Sequence, residues 1–204
     1  MKIILASSSP RRKELLTLMG LEYEIIKPEN DENMAQKLDF RKLSEVLSLQ
    51  KAQEVFDKTS GDRVVIGSDC MVYINKTLLG KPKDKEDAFK MLKKLSNKYH
   101  KVVTGLSVII EKDNNIKKFI THDVAKVKFK KLTDDEINKY LSFDEYKDKA
   151  GSYAIQGKSG VFVEKIIGNM TTIIGLPIHK LYEILKSQNI MEYSVLFFLL
   201  KKYL

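Results

Sequence analysis

Lys2-Ile3-Ile4-Leu5-Ala6-Ser7-Ser8-Ser9-Pro10-Arg11-Arg12-Lys13-Glu14-Leu15-Leu16 changes character twice within a few residues. The apolar run Ile3 to Ala6 reads as a short buried strand, and Ser7 to Ser9 as a loop. Leu15, Leu16, Leu18 and Met19, ending at Gly20, have the spacing of one helix face. Ser9 followed by Pro10 marks the helix start: serine accepts hydrogen bonds as an N-cap, and the fixed φ of proline suits the first helical position. Strand, loop and helix in this order begin an α/β fold.

The rest of the chain continues the alternation. Tyr23 to Ile26 reads as a second strand, and the acidic segment from Pro28 to Asp39, with Glu29, Asp31 and Glu32, as a loop before a helix through Leu43, Val46, Leu47 and Val55. The β-branched run Val64-Val65-Ile66 is expected to end at Gly67-Ser68-Asp69, which puts a carboxylate at a strand terminus. Met71 to Leu79 reads as a hairpin turning at Asn75-Lys76. Asp84 caps a helix with Ala88, Met91, Leu92 and Leu95 on one face, and Val102 to Ile110 pairs with Ile116 to Phe129 across Asp113-Asn114-Asn115. Thr133 to Glu136 has capping-box spacing and opens a helix through Ile137, Tyr140 and Leu141. Beyond it, Gly151, Gly157, Gly160, Gly168 and Gly175 punctuate short apolar runs, and Pro177 opens a helix through Leu181 and Leu185. Strands and helices alternate without a strict βαβ repeat, so the expected fold is α/β with a mixed sheet. The main domain spans residues 1–189. The apolar tail, 190–204, reads as a helix docked on the core or on a second subunit, with a membrane-surface helix as the alternative.

Thirty-six basic against 27 acidic side chains give a formal charge of +9, compatible with a polyanionic partner. The lysines are interleaved with acids along the whole chain, so stable nucleic-acid binding is not expected. No apolar run approaches the roughly 18 residues of a membrane span, and none is expected. One cysteine, Cys70, excludes an intramolecular disulfide and fits a reducing cytoplasm. Only Arg11, Arg12, Arg41 and Arg63 are arginines, so half of them form one adjacent pair.

That pair falls in the first turn of the first helix, with Lys13 beside it, where three cations oppose the helix macrodipole. An anion there removes the conflict. Free backbone N–H groups, the Ser7 and Ser9 hydroxyls and the Arg11 and Arg12 guanidiniums are the parts of a phosphate cradle. Asp69 can hold Mg²⁺, which takes its other ligands from water and phosphate, or can orient an attacking water. Lys51, Lys81 and Glu32 gain weight only in company with these residues. Gly157-Lys158-Ser159 is like the end of a P-loop, but that spacing demands glycine where Ser152 stands. His100, His122 and His179 lack metal-ligand spacing.

Ala6-Ser7-Ser8-Ser9-Pro10-Arg11-Arg12, Gly67-Ser68-Asp69, Gly80-Lys81-Pro82, Asp148 to Gly157 and Gly175-Leu176-Pro177 stand in the order seen in Maf proteins. The chain resembles that family over about residues 2 to 188. The resemblance implies an inosine-triphosphatase-like fold of two lobes with a central cleft, Mg²⁺ or Mn²⁺ dependence and a homodimer. It implies hydrolysis of a nucleoside triphosphate between the α- and β-phosphates. By position Asp69 corresponds to the catalytic acceptor, Arg12, Lys51 and Lys81 to phosphate-contacting residues, and Glu32 to a loop carboxylate near the metal. Arg11 and Gln156 match the branch acting on dTTP and UTP rather than the branch acting on 7-methyl-GTP. Cys70 departs from that branch's threonine. The competing readings are a modified-nucleotide pyrophosphatase of the same family and a basic binding or septation-regulating protein.

Overall fold

The computed structural model describes residues 1–29 and 38–191. Its strands are β1 (Lys2–Ala6), β2 (Glu24–Ile25), β3 (Arg63–Ile74), β4 (Thr77–Leu79), β5 (Tyr99–Lys112), β6 (Asn115–Phe129) and β7 (Val163–Ile167). They form a seven-stranded sheet in the order β2-β1-β3-β5-β6-β7, with β4 paired to β3. β1 is parallel to β2 and β3, whereas β4 and β7 run antiparallel to their neighbours. The helices are α1 (Pro10–Leu18), α2 (Phe40–Asp57), α3 (Lys85–Leu95), α4 (Asp134–Leu141), α5 (Met170–Ile174) and α6 (Ile178–Ser187). This is the mixed-sheet α/β architecture anticipated from the sequence.

The chain divides into two compact units, and β3, β5 and β6 contribute residues to both. Unit 1 contains Met1–Asp69, Gly105–His122 and the chain from Gly175 onward. Ile4, Ala6, Ala52, Val55, Val65 and Ile109 cluster in its core, where α2 covers the strands. Two glycines set how closely that helix lies. A Cβ at Gly67 would fall 2.3 Å from the Ser48 carbonyl oxygen, and one at Gly105 would fall 2.0 Å from that of Ser44. Ser48 Oγ also meets Ser107 Oγ at 2.8 Å, a buried tie between helix and sheet.

Unit 2 contains Cys70–Thr104 and Asp123–Ile174. Leu92, Leu95, Val127, Phe129, Ile137 and Tyr153 belong to its core cluster, and His100 lies among the aromatic rings. His100 Nε2 meets Tyr153 Oη at 2.8 Å. Burial lowers the His100 pKa to about 4, because an imidazolium there would lose its hydration. The unfolded chain binds that proton near pH 6.5 and the native state does not, so stability is full above this window and falls as pH drops through it. Between pH 6.5 and 4 the loss from this group is about 3 kcal/mol. Urea denaturation at pH 7 and pH 4.5 measures it. His100→Gln, which cannot titrate, should show a smaller difference between the two, and an equal difference would assign the acid sensitivity elsewhere.

Local signals held where a backbone group needed a partner. Thr133 and Glu136 form the reciprocal capping box of α4, and Asp84 accepts the Asp87 N–H at the start of α3. Asn75 and Lys76, with φ of 49° and 64°, make the β3–β4 turn. Asp113 and Asn114, at 51° and 61°, make the β5–β6 turn.

Two expectations need correction. The segments around Gly67-Ser68-Asp69 are not separate strands: β3 runs unbroken from Arg63 to Ile74, and Asp69 lies within it. Gly67 does not break the strand because α2 occupies the space of its missing side chain, and Ser68 finds carbonyl acceptors for its hydroxyl. Nor does the Ser9 side chain cap α1. Its backbone N–H instead donates to Ser7 Oγ at 3.2 Å. Glu32 and residues 192–204 of the tail lie outside the described residues.

Candidate active site

Pro10 at the first position of α1 and the absence of acidic residues from its first turn leave that helix end electropositive. Arg12, half-buried there, is aimed by two neutral acceptors. Its Nε donates to the Gly175 carbonyl at 2.9 Å and its Nη1 to Ser7 Oγ at 2.9 Å. Neutral acceptors fix the plane of the guanidinium without cancelling its charge, and among the described residues no carboxylate pairs with Arg12. Such a cation is prepared for an anion, and the remaining N–H donors of the fork suit phosphate oxygens.

The Gly175 carbonyl also accepts from Ser68 Oγ at 2.9 Å, and the same hydroxyl lies 2.9 Å from the Gly105 carbonyl. Arg12 is thereby joined to the strand that carries Asp69. The Asp69 carboxylate, 9% exposed, is paired with Lys51 Nζ, itself 16% exposed. Lys51 reaches it from α2, whose approach is set by Gly67 and Gly105. Unit 1 therefore holds Ser7, Arg12, Lys51 and Asp69, four of the candidate residues, and links Ser68 and Gly175 to them. Both additions stand inside motifs quoted above. Their types gave no chemical signal, since the function of one is a buried hydroxyl and of the other a main-chain carbonyl. Arg11 is half-buried beside Arg12.

Three expected residues belong to unit 2. Lys81 is exposed and follows Gly80, whose carbonyl accepts the Gly151 N–H at 3.0 Å, so two of the quoted motifs meet there. Gly151 has φ of +69° and packs on Val72, where a Cβ would lie 3.0 Å from Val72 Cγ1. Cys70 Sγ lies 3.9 Å from the Thr172 carbonyl, which also accepts from Thr104 Oγ1 at 2.7 Å. Gln156 is exposed, and among the described residues its amide has no hydrogen-bond partner.

Among the described residues no three of His, Cys, Asp and Glu are grouped as an all-protein metal cage. Mg²⁺ and Mn²⁺ in nucleotide enzymes need fewer protein ligands, one or two carboxylates with phosphate and water completing the shell. Asp69, a hard oxygen donor, fits that mode.

The mixed α/β sheet, with a basic helix end joined to the strand of a lysine-paired carboxylate, is of the HAM1 fold type. A HAM1 protein from Coxiella burnetii superposes with a TM-score of 0.50, covering 92% of this chain and 99% of that one, and at 14% identity the likeness is one of fold. The Maf-like protein model matches residues 2–188. This chain belongs to the Maf-like protein family. It is 45% identical to a dTTP/UTP pyrophosphatase of Aquifex aeolicus (strain VF5), over 94% of this chain and 97% of that protein. A dTTP/UTP pyrophosphatase of Alkaliphilus oremlandii (strain OhILAs) is 44% identical, over 91% and 95%.

Proposed function

We propose that this protein is a nucleoside triphosphate pyrophosphatase that hydrolyses dTTP and UTP to the monophosphate and pyrophosphate with Mg²⁺ or Mn²⁺. The observation that carries the reading is Arg12, a cation fixed by two neutral acceptors and joined through Gly175 and Ser68 to the Asp69 strand. The relatives named dTTP/UTP pyrophosphatase support the substrate assignment. The finer expectations, a homodimer in a reducing cytoplasm, rest on the family resemblance and on the single cysteine.

In this reading Arg12 and Lys51, with Lys81 as the resemblance implies, bind the triphosphate oxygens. Incoming phosphate competes with Asp69 for Lys51, and the carboxylate then has an oxygen to orient the attacking water and accept its proton. Water adds to the α-phosphorus, the α–β anhydride bond breaks, and pyrophosphate leaves with its charge held by the basic residues. Asp69 would hold the divalent cation, which supplies charge to the phosphate oxygens and acidifies bound water. Glu32, outside the described residues, is the second carboxylate proposed for it. Gln156 reads the base, because an amide offers both the donor and the acceptor that a uracil or thymine edge requires.

The test is incubation with a panel of canonical and modified triphosphates plus Mg²⁺ or Mn²⁺, resolving monophosphate, pyrophosphate and orthophosphate. Monophosphate and pyrophosphate should appear in equal amounts, fastest from dTTP and UTP. Arg12→Ala should lower kcat/KM on the order of a hundredfold. Orthophosphate and diphosphate as initial products would overturn the reaction, and unchanged kinetics in the variant would remove Arg12 from the site.

A further inference from the structure

The turn carrying Gln156 is closed at its base by its own atoms. Gly157 N–H donates to the Ala154 carbonyl at 2.8 Å, and Gly160 N–H to the Gly157 carbonyl at 2.9 Å. Buried Ser159 Oγ donates to the Ala154 carbonyl at 2.8 Å and accepts the Ala154 N–H at 3.1 Å. The tip is held from outside the turn. Glu145 Oε2 accepts the Lys158 N–H at 2.9 Å, and the Glu145 carboxylate lies flat against Gly157.

Gly157 shows how close that contact is. Its φ is −103°, a conformation open to any residue, so its backbone does not require glycine. A Cβ there would instead fall 2.2 Å from Glu145 Oε1 and 2.5 Å from Oε2. Glu145 itself is anchored by its neighbour Tyr146, which is buried in the unit 2 core. The carboxylate therefore packs against the residue next to Gln156 and holds the N–H of the one after it.

We propose that Glu145 is a positioning residue for base selection, its carboxylate setting where the Gln156 amide stands. The proposal rests on the reading of Gln156 as the base-contacting residue. Base discrimination depends on an amide placed within hydrogen-bond tolerance of the ring edge, whereas phosphate binding in unit 1 does not use this turn. Loss of Glu145 thus acts on the choice between bases more than on turnover itself.

The experiment compares kcat/KM for UTP and GTP in the wild type, Glu145→Ala, Glu145→Gln, Gln156→Ala and the double variant Glu145→Ala/Gln156→Ala. Glu145→Ala should lower the UTP to GTP ratio on the order of tenfold. Glu145→Gln keeps an acceptor for the Lys158 N–H and should restore most of the ratio. The double variant should lose no more discrimination than Gln156→Ala alone, because both act through one amide. General loosening of the fold would lower both substrates alike and leave the ratio in place. Gly157→Ala, which pushes the carboxylate away without removing it, gives a second probe should Glu145→Ala not fold, and should lower the ratio likewise. A changed ratio in Gln156→Ala with unchanged ratios in Glu145→Ala and Gly157→Ala would overturn the role of Glu145. An unchanged ratio in Gln156→Ala would instead overturn the base reading on which it rests.

Discussion

Asp69→Asn should lower turnover about a thousandfold while the protein stays folded. The amide keeps the volume of the carboxylate inside β3 but loses the charge that pairs with Lys51, accepts a proton from water and binds a divalent cation. The structural cost is limited. Lys51 retains 16% exposure on a flexible four-carbon stem, so it keeps contact with water, and the loss of its partner costs about 1–3 kcal/mol. Product formation at saturating UTP and metal, with a thermal unfolding curve on the same sample, separates the two effects. A folded variant with near-wild-type turnover would exclude Asp69 from the chemistry.

Gly105→Ala should have the largest effect on stability. The new methyl would lie 2.0 Å from the Ser44 carbonyl oxygen and 2.4 Å from the carbonyl carbon. These are backbone atoms of α2, so no side-chain rotation relieves the overlap and the helix must move. Overpacking of this kind costs about 3 kcal/mol, equivalent in a chain of this length to a drop in Tm on the order of 10 °C. The consequence reaches the site, because Lys51 is on the same helix two turns from Ser44 and would be drawn away from Asp69. A displacement near 1 Å is enough to slow the reaction about a hundredfold at permissive temperature. Unchanged Tm and kcat/KM would show that the glycine does not seat the helix.

Features governed by neighbours in sequence were legible. Pro10, the Thr133–Glu136 capping box and the Asn75-Lys76 and Asp113-Asn114 turns each solve a local backbone problem, and each appears where the residues indicate. Arg12 was legible for the same reason, since its conflict with the helix dipole is visible from spacing alone. Strand ends were harder. Gly67-Ser68-Asp69 has the composition of a terminus, and only α2, packed on the glycine, and two distant carbonyls make it strand interior. Ser9 has the position of a capping serine, yet its side chain does not cap α1, and the hydroxyl that accepts there is that of Ser7, from the Ser9 N–H and from Arg12. Glu145 had no signal at all. Its partner is the main chain of Gly157 and Lys158, and a backbone N–H has no residue type by which to announce itself.

The Gly175 carbonyl has a further consequence for the order in which the protein becomes competent. Arg12 lies 163 residues before it in the chain, and Ser68 lies 107 before it. At ribosomal rates of about 5–20 residues per second, the guanidinium waits roughly ten to thirty seconds after its own synthesis for the second of the two acceptors that orient it. Until then Arg12 has only the Ser7 hydroxyl, five residues before it, to direct its guanidinium. Closure of so long a loop is entropically costly and slow, so the anion-binding geometry is a late product of folding, reached only once the C-terminal segment of unit 1 has been made.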